Sequence, residues 1–271
     1  MLSIGYINMR IISLNTFGGH VFLPLMKFVE DAAVSTDVFC FQEILSDARL
    51  SPRITREGFR TNLLQELSAR LPDFSPVFAP VQATSNLEPV DRTYVQTGVA
   101  IFLKHPLHVV AQEAFLLPPG AREDNAHHNA QYVTIEVNGS LLTFCNVHGI
   151  AHPGHKRDTP ERLAQSHKIL DTLATIEEEK IIMGDFNLLP DTNSVRLFEE
   201  AGFRNLVKDH NIQSTRGSQH KILHPEFADL PDGFQEFADY TFVQPTLSVQ
   251  HFAVPDLPIS DHLPMILDCT V

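Results

Sequence analysis

The feature that most constrains the fold is a series of short apolar segments spread along the whole chain. Ten such segments, rich in β-branched and aromatic residues and bounded by Gly, Pro, Asn, Asp or Ser, are predicted to be strands. They cover residues 9–14, 37–42, 97–103, 107–114, 131–137, 141–147, 180–184, 239–243, 247–254 and 263–269. Between two of them lies Asn138-Gly139, which predicts a tight hairpin because both turn positions need a positive φ.

Helical patterns are fewer and lie between some of the strands. They cover residues 20–35, 61–71, 159–175 and 192–201. The third begins at Thr159-Pro160, a cap residue followed by a proline in the first turn, and the fourth ends at Gly202. No linker, internal repeat or low-complexity tract interrupts the pattern. We therefore predict one α/β domain over residues 1–271, with two mixed sheets packed face to face and helices outside.

Charge and hydropathy exclude two classes of protein. The net charge is -13, so the chain lacks the overall basic character of proteins that coat long nucleic acids. Mean hydropathy is -0.05, and no apolar run reaches the ~18 residues that a membrane-spanning helix needs. Cys40, Cys145 and Cys269 lie in predicted strands and are expected to be buried, reduced thiols. Together with the lack of a visible secretory signal, this predicts a cytoplasmic protein, and we expect a monomer.

Polar residues with chemical capability follow or close most of the apolar segments. A single residue of this kind is commonly a turn or cap residue. An ordered series of them indicates an active site that a packed scaffold presents at its strand ends. The series comprises Asn15, Glu43, Asn146, His148, Asp185, Asn187, Asp239, Ser260, Asp261 and His262.

The ordered motifs SLN, FQE, N-x-H, GDFN, DY and SDH resemble the endonuclease/exonuclease/phosphatase superfamily. This group includes deoxyribonucleases, apurinic endonucleases, neutral sphingomyelinases, inositol polyphosphate phosphatases, deadenylases and tyrosyl-DNA phosphodiesterases. The motifs extend from Asn15 to His262 and therefore cover nearly the whole chain. The resemblance implies a four-layer α/β/β/α sandwich, in agreement with the strand pattern. It also implies a Mg²⁺-dependent phosphoesterase.

The residue types also fit this chemistry. A phosphate ester is anionic and repels nucleophiles, so its hydrolysis needs a hard cation, a positioned water and donors for the phosphate oxygens. Mg²⁺ prefers oxygen ligands, and we expect Mn²⁺ to substitute for it. Glu43 is the main candidate ligand, and the resemblance implies that Asn15 and Asp261 complete or support the metal site.

The resemblance implies catalytic roles for five residues. Asp185 accepts the proton of the attacking water, and Asn187 donates to a phosphate oxygen or positions the water. His148 donates to the phosphoryl oxygens. His262 acts as a general base or as an imidazolium that stabilises charge, and Asp239 fixes its tautomer. Which group is the base and which the acid stays open.

Three further residues are candidate substrate contacts. Asn146 belongs to the N-x-H motif, Arg157 follows Lys156 in the loop after His148, and Arg216 precedes the long loop that leads to Asp239. Both loops lie next to predicted site residues, so we expect Lys156, Arg157 and Arg216 to lie within reach of a bound phosphate. The alternative is that they are solvated loop residues.

One position of the resemblance lacks a clear counterpart. Deoxyribonuclease-like members carry a glutamate that supports the first histidine, which is His148 here. Glu113 and Glu88 are the candidates for that support.

The substrate is predicted only by class. We expect a phosphodiester, either a nucleic-acid end or lesion or a small or lipid phosphodiester. A phosphomonoester of a nucleotide, sugar or inositol is the alternative. A non-catalytic binding scaffold is the rival from another class, but such a protein is expected to lose Glu43, Asp185 or His262, and all three are present.

A short basic stretch follows Glu43 and bears on nucleic-acid binding. It contains Arg49, Arg53, Arg56 and Arg60. If these side chains contact phosphates, only a few contacts are available, so long-duplex binding is predicted to be weak. The alternative is a solvated loop and helix start.

Overall fold

A computed structural model describes residues 8–49, 53–82, 89–118, 128–225 and 234–271. The strands are β1 Asn8–Asn15, β2 Val38–Asp47, β3 Phe74–Gln82, β4 Val95–Lys104, β5 Val109–Leu116, β6 Asn129–Val137, β7 Ser140–His148, β8 Glu179–Asp185, β9 Arg204–Asn205, β10 Asp239–Val243, β11 Ser248–Ala253 and β12 Met265–Thr270. The helices are α1 Phe22–Ala33, α2 Leu63–Arg70, α3 Pro89–Tyr94, α4 Pro160–Ala174, α5 Asn193–Glu200, α6 Leu206–Asp209 and α7 Ser218–Leu223. A short 3₁₀ turn spans Phe17–Gly19.

The described strands form two mixed sheets of six strands each. The first sheet has the order β11-β12-β1-β2-β4-β3, and the second has the order β5-β6-β7-β8-β10-β9. Each sheet contains one parallel pair, β1 with β2 and β7 with β8, whereas the remaining pairs are antiparallel. The predicted mixed sheets are therefore confirmed.

The core lies between the sheets and beneath the helices. Apolar residues of both sheets, such as Ile11 and Phe144, belong to one buried cluster that also includes Ile169 of α4 and Phe198 of α5. A second cluster joins the first sheet to α1 and α2, for example through Val29 and Leu67. The layers therefore follow the predicted α/β/β/α order. All three cysteines are free and buried, as expected.

Local chemistry explains which element boundaries were predictable. The Asn138-Gly139 hairpin is confirmed, with φ values of 51° and 80° between β6 and β7. The start of α4 is confirmed too, since Thr159 caps it by accepting from the Arg162 amide at 3.2 Å. Strand β3 was not predicted because its FSPVFAPVQ sequence carries two prolines. Proline lacks an N–H to donate, and β3 tolerates it because it is an edge strand.

The topology brings the predicted site residues to one edge. Asn15 ends β1, His148 ends β7 and Asp185 ends β8. Glu43 lies within β2, directly after the segment that pairs in parallel with β1. Strand β10 runs antiparallel to β8 and begins there, pairing Asp239 with Asp185. Both sheets therefore present polar side chains at the same end of the sandwich. Among the described helices, none has the length and apolar character needed to cross a membrane.

Candidate active site

Asn15 links the two sheets at this edge. Its Nδ2 donates to Glu43 Oε1 and to Asp185 Oδ2, each at 3.0 Å. Its Oδ1 accepts from the Phe17 amide at 3.0 Å, which fixes the orientation of the side-chain amide. The carboxylates of Glu43 and Asp185, from different sheets, therefore converge on one amide group.

Glu43 lies at an irregularity in strand β2. The register with β4 shifts between Phe41 and Ile44, and Glu43 has a φ of 57°. A non-glycine residue with this backbone conformation is uncommon and is found where surrounding structure imposes it, often at functional sites. The Glu43 side chain is 27% exposed, and its Oε1 lies 3.7 Å from His148 Nε2. The irregularity thus leaves a carboxylate accessible beside an imidazole.

The GDFN turn after β8 holds Asp185 and Asn187 together. The Asn187 amide N–H donates to Asp185 Oδ1 at 2.8 Å, and Asn187 Nδ2 donates to Asp185 Oδ2 at 3.2 Å and to the Gly149 carbonyl at 3.0 Å. Gly184 precedes the turn with a φ of 135°, and a Cβ there would lie 2.2 Å from the Val147 carbonyl. Only glycine fits this close approach of β7 and β8.

The Asp185 carboxylate is buried yet remains ionised. Burial alone would raise its pKa, but the nearby positive charges of His262 and Lys156, with those of His148 and Arg216, lower the pKa of Asp185 to about 2. Asp185 Oδ2 also lies 4.0 Å from His148 Nε2 and 3.7 Å from His262 Nε2. The site therefore contains a buried carboxylate surrounded by donors and positive charges, which favour its ionised form.

His262 and Asp239 form a buried pair opposite Asp185. The Nδ1 of His262 donates to Asp239, at 2.8 Å from Oδ2 and 3.0 Å from Oδ1. Burial and the charge of Arg216 disfavour an imidazolium, but Asp239, Asp261 and Asp185 outweigh them and raise the pKa of His262. The tautomer fixed by Asp239 directs Nε2 towards Asp185.

Asp261 contacts basic side chains rather than Glu43. Its Oδ2 lies 3.3 Å from Arg216 Nη1, 3.7 Å from His220 Nδ1 and 3.3 Å from His224 Nε2. Ser260 connects it to the rest of the site, since Ser260 Oγ donates to the Asn15 carbonyl at 2.7 Å and to Asp261 Oδ1 at 3.3 Å. His220 and His224 were not predicted, and the signal for them was their four-residue spacing.

The candidate substrate contacts lie in three different environments. Asn146 is fully buried and joins the sheets, donating to the Phe41 and Ala100 carbonyls at 3.0 and 3.1 Å and accepting from Gln42 Nε2 at 2.6 Å. These contacts favour a structural role for Asn146 between the two sheets. Arg157 is exposed and pairs with Asp191 at 3.4 Å. Arg216 is buried against Asp261, and its Nε has no hydrogen-bond partner among the described residues.

The neighbour of His148 is a histidine that was not predicted. The ring of His128 packs edge-on against that of His148, with centroids 5.1 Å apart. Glu113 instead accepts from the Tyr132 hydroxyl at 3.3 Å on strand β5, and Glu88 lies outside the described residues. The predicted support by Glu113 is not observed in the structure.

The basic stretch after Glu43 is largely neutralised by carboxylates. Arg49 donates to Asp47 at 2.7 Å and to Asp91 at 3.1 Å, and Arg53 also contacts Asp91. A third ion pair joins Arg60 to Glu66. Asp91 and Glu66 lie outside the stretch, so sequence proximity did not reveal them. This region is a network of ion pairs, with Arg56 exposed beside it.

The oxygen atoms at this edge fit a divalent cation. Glu43 Oε1 and Asp185 Oδ2 both accept from Asn15 Nδ2 and are hard oxygen donors of the kind that Mg²⁺ prefers. Asp185, Asp239 and His262 also place ligand atoms within 4.8 Å of one another. His220, His224 and Asp261 do the same, but the Arg216 guanidinium touching Asp261 disfavours a cation there. The Glu43 side of the site is therefore the better match.

The fold and this constellation define a class of protein that cleaves phosphate esters. The chain belongs to the endonuclease/exonuclease/phosphatase family, whose sequence profile matches residues 12–262. Family members include hydrolases that act on phosphoester bonds. No curated protein sequence gives a significant match.

Solved structures share the fold over nearly the whole chain. An endonuclease/exonuclease/phosphatase from Bacteroides vulgatus is 16% identical, with 97% of this chain and 98% of that chain covered and a TM-score of 0.68. The mannosyl-6-phosphatase Bt3783 of Bacteroides thetaiotaomicron is 15% identical, with 96% and 99% covered and a TM-score of 0.68. The human Nocturnin catalytic domain with bound sulfate is 19% identical, with 98% and 96% covered and a TM-score of 0.65. At these identities the similarity demonstrates the fold.

Proposed function

We propose that this protein is a Mg²⁺-dependent hydrolase of phosphate esters. The observation that carries the proposal is the set of donors around one buried carboxylate oxygen, Asp185 Oδ2. Asn15 Nδ2 lies 3.0 Å away, Asn187 Nδ2 3.2 Å, His262 Nε2 3.7 Å and His148 Nε2 4.0 Å. Such a group of fixed donors around a charged carboxylate suits an anionic substrate and its attacking water.

Glu43 is the residue that would hold the cation. When bound, Mg²⁺ supplies Lewis-acid stabilisation of the charge that develops on the phosphate oxygens. Asn15 orients the Glu43 carboxylate through the 3.0 Å hydrogen bond to Oε1. Glu43 reaches the open edge of the sandwich, which makes it accessible to an ion and its water ligands.

The other residues act on the water and on the phosphate. Asp185 is the residue that accepts the proton of the attacking water. Asn187 Nδ2 donates to Asp185 and to the Gly149 carbonyl, and we expect the second of these N–H groups to turn to a phosphate oxygen when the substrate binds. His148 and His262 donate from Nε2 to the remaining oxygens. Asp239 accepts the hydrogen bond from His262 Nδ1 and, with Asp261 and Asp185, favours the imidazolium form, in which Nε2 also carries a proton for the substrate.

A phosphodiester of small size, or a nucleic-acid end or lesion, is the first candidate substrate. The net charge of -13 and the neutralised arginines after Glu43 disfavour a long polyanion. A phosphomonoester is the second candidate. The buried cations Lys156 and Arg216 favour it, because both act on Asp185 from within the site and suit the extra charge of a terminal phosphate.

A substrate screen tests the proposal. Bis(p-nitrophenyl) phosphate, p-nitrophenyl phosphate, short oligonucleotides and small monoesters are offered with Mg²⁺, with Mn²⁺ or with EDTA. We expect hydrolysis of at least one ester that requires the metal and is abolished by EDTA. Failure to cleave any ester with either metal would favour a binding scaffold instead.

A further inference from the structure

Lys156 occupies a buried position between two segments of the site. It lies in the loop between β7 and α4, has a φ of 53° and is only 8% exposed. Its carbonyl accepts from the Leu189 amide at 2.9 Å, which ties the loop to the GDFN turn. Its Nζ donates to Asn187 Oδ1. The ammonium is therefore fixed beside a residue proposed to bind phosphate.

This ammonium has no carboxylate within salt-bridge distance among the described residues. Surface lysines such as Lys27 and Lys208 pair with carboxylates at 2.8 and 2.5 Å, whereas the recorded side-chain partner of Lys156 is an amide oxygen. A buried charge that lacks a counter-ion is costly for folding. An ammonium carries three N–H donors, so donors remain for a ligand.

The charges facing Lys156 come from several elements. Burial and the positive charges of Arg216 and Arg162 disfavour the ammonium, while Asp185 and Asp239 favour it. The outcome is that the pKa of Lys156 is lowered to about 7. A bound phosphate adds negative charge next to Nζ and reverses this effect. The surroundings of Lys156 therefore suit a site in which a bound anion stabilises the ammonium form.

We propose that Lys156 is a further catalytic residue, which donates from Nζ to a non-bridging oxygen of the substrate phosphate beside the Asn187 amide. The inference rests on the proposed function and adds an ammonium to its donors. A cation at this position stabilises the charge on the phosphate oxygens more strongly than an amide does. Burial of the ammonium destabilises the ligand-free protein, and a bound phosphate offsets this effect. Lys156 therefore increases activity but lowers the free energy of unfolding of the ligand-free protein.

The competing role for Lys156 is positioning of Asn187 alone. Lys156→Gln separates the two roles, because glutamine retains an N–H donor towards Asn187 but carries no charge. Lys156→Met removes both the donor and the charge. Lys27→Met is the matched control, since Lys27 is 76% exposed on α1 and pairs with Asp31.

The test combines kinetics with stability. We expect kcat/KM for the best ester of the screen to fall ~10²-fold or more in both Lys156→Met and Lys156→Gln, and to stay unchanged in Lys27→Met. The thermal midpoint of Lys156→Met is expected to equal or exceed that of wild type. Near-normal kcat/KM in Lys156→Gln would overturn the proposal in favour of positioning. Loss of the folded state in both Lys156 variants would assign the residue a structural role.

Binding of inorganic phosphate separates this inference from the proposed function. Calorimetry on the Mg²⁺-loaded protein compares wild type with Lys156→Gln at pH 6, 7 and 8.5. We expect binding at least ~10-fold weaker in the variant, and uptake of protons on binding to wild type at pH 8.5 that the variant lacks. Equal affinity in the two proteins would refute the role of Lys156 even if wild type hydrolyses esters. Weaker binding in the variant would support it even if no ester in the screen is cleaved.

Discussion

The Nδ1 of His262 lies 2.8 Å from Asp239 Oδ2, and both side chains are almost completely buried. The two residues are 23 positions apart in the chain. They meet because Asp239 begins strand β10 next to Asp185, while His262 lies in the turn before β12. The contact with Asp239 therefore leaves Nε2 as the His262 nitrogen that faces Asp185.

The first prediction is that Asp239 acts through His262. Asp239→Asn and His262→Ala are each expected to lower kcat by ~10²–10⁴, because a wrongly oriented imidazole is as ineffective as a missing one. The double variant should be only slightly slower than either single variant. Rate measurements on the three variants complete the cycle, and additive losses would show that the two residues work independently.

The second prediction concerns Asp185 and Asn187. Asp185→Asn and Asn187→Ala are expected to lower kcat by ~10²–10⁴ while the protein stays folded at ordinary temperature. Asp171→Asn on the exposed face of α4 is the matched control and should be silent. Activity and thermal unfolding are measured on the same samples. Unfolded variants would indicate that the GDFN turn is structural.

The third prediction is that Asn146 supports the fold rather than the substrate. Asn146→Ala removes its hydrogen bonds to the Phe41 and Ala100 carbonyls and the one that it accepts from Gln42 Nε2, all of which link the two sheets. We expect the free energy of unfolding to fall by about 3 kcal/mol and KM of the folded protein to stay near that of wild type. Chemical denaturation and steady-state kinetics check both. A stable variant with a greatly raised KM would restore Asn146 to the substrate site.

The extent to which sequence predicted this protein follows from local signals. Apolar strands and the polar residues that end them were visible because strand periodicity and turn chemistry are local. Strand β3 was not predicted because proline is unfavourable in most strands, and the sequence does not show that β3 lies at a sheet edge. The N-x-H motif places Asn146 and His148 on the same face of β7. Asn146 lies two residues further from the strand end, where the other sheet covers it, so the motif alone did not distinguish their environments.

The remainder of the site depends on tertiary contacts. Lys156 and His128 lie in or next to loops and His220 lies in the short helix α7. Only the folded chain places them against Asn187, His148 and Asp261, respectively. From sequence alone, the arginines after Glu43 are predicted to be available for phosphates. In the folded chain Asp91 and Glu66 form ion pairs with them. Charge counts along a sequence do not include such partners.

The fourth prediction follows from those ion pairs. A long DNA duplex should bind Mg²⁺-free protein weakly, and log Kd should depend only slightly on log salt, at ~0.9 per neutralised phosphate. Arg53→Gln should lower stability more than it lowers duplex affinity, because Arg53 pairs with Asp91. Titrations over a range of salt concentrations measure the duplex affinity and its salt dependence, and thermal unfolding measures the stability of Arg53→Gln. Submicromolar affinity at physiological salt with a steep slope would make a general nuclease the leading interpretation.

The most direct test of the account is the metal dependence of Glu43→Gln. Glutamine preserves the hydrogen bond from Asn15 but removes the negative charge of the residue proposed as the main ligand. Hydrolysis is measured against Mg²⁺ concentration for wild type, Glu43→Gln and the control Glu136→Gln, whose side chain is exposed on β6. We predict normal folding, a rate at least ~10²-fold lower and a higher Mg²⁺ requirement in Glu43→Gln alone. A near-normal rate for Glu43→Gln at low Mg²⁺ would contradict the account.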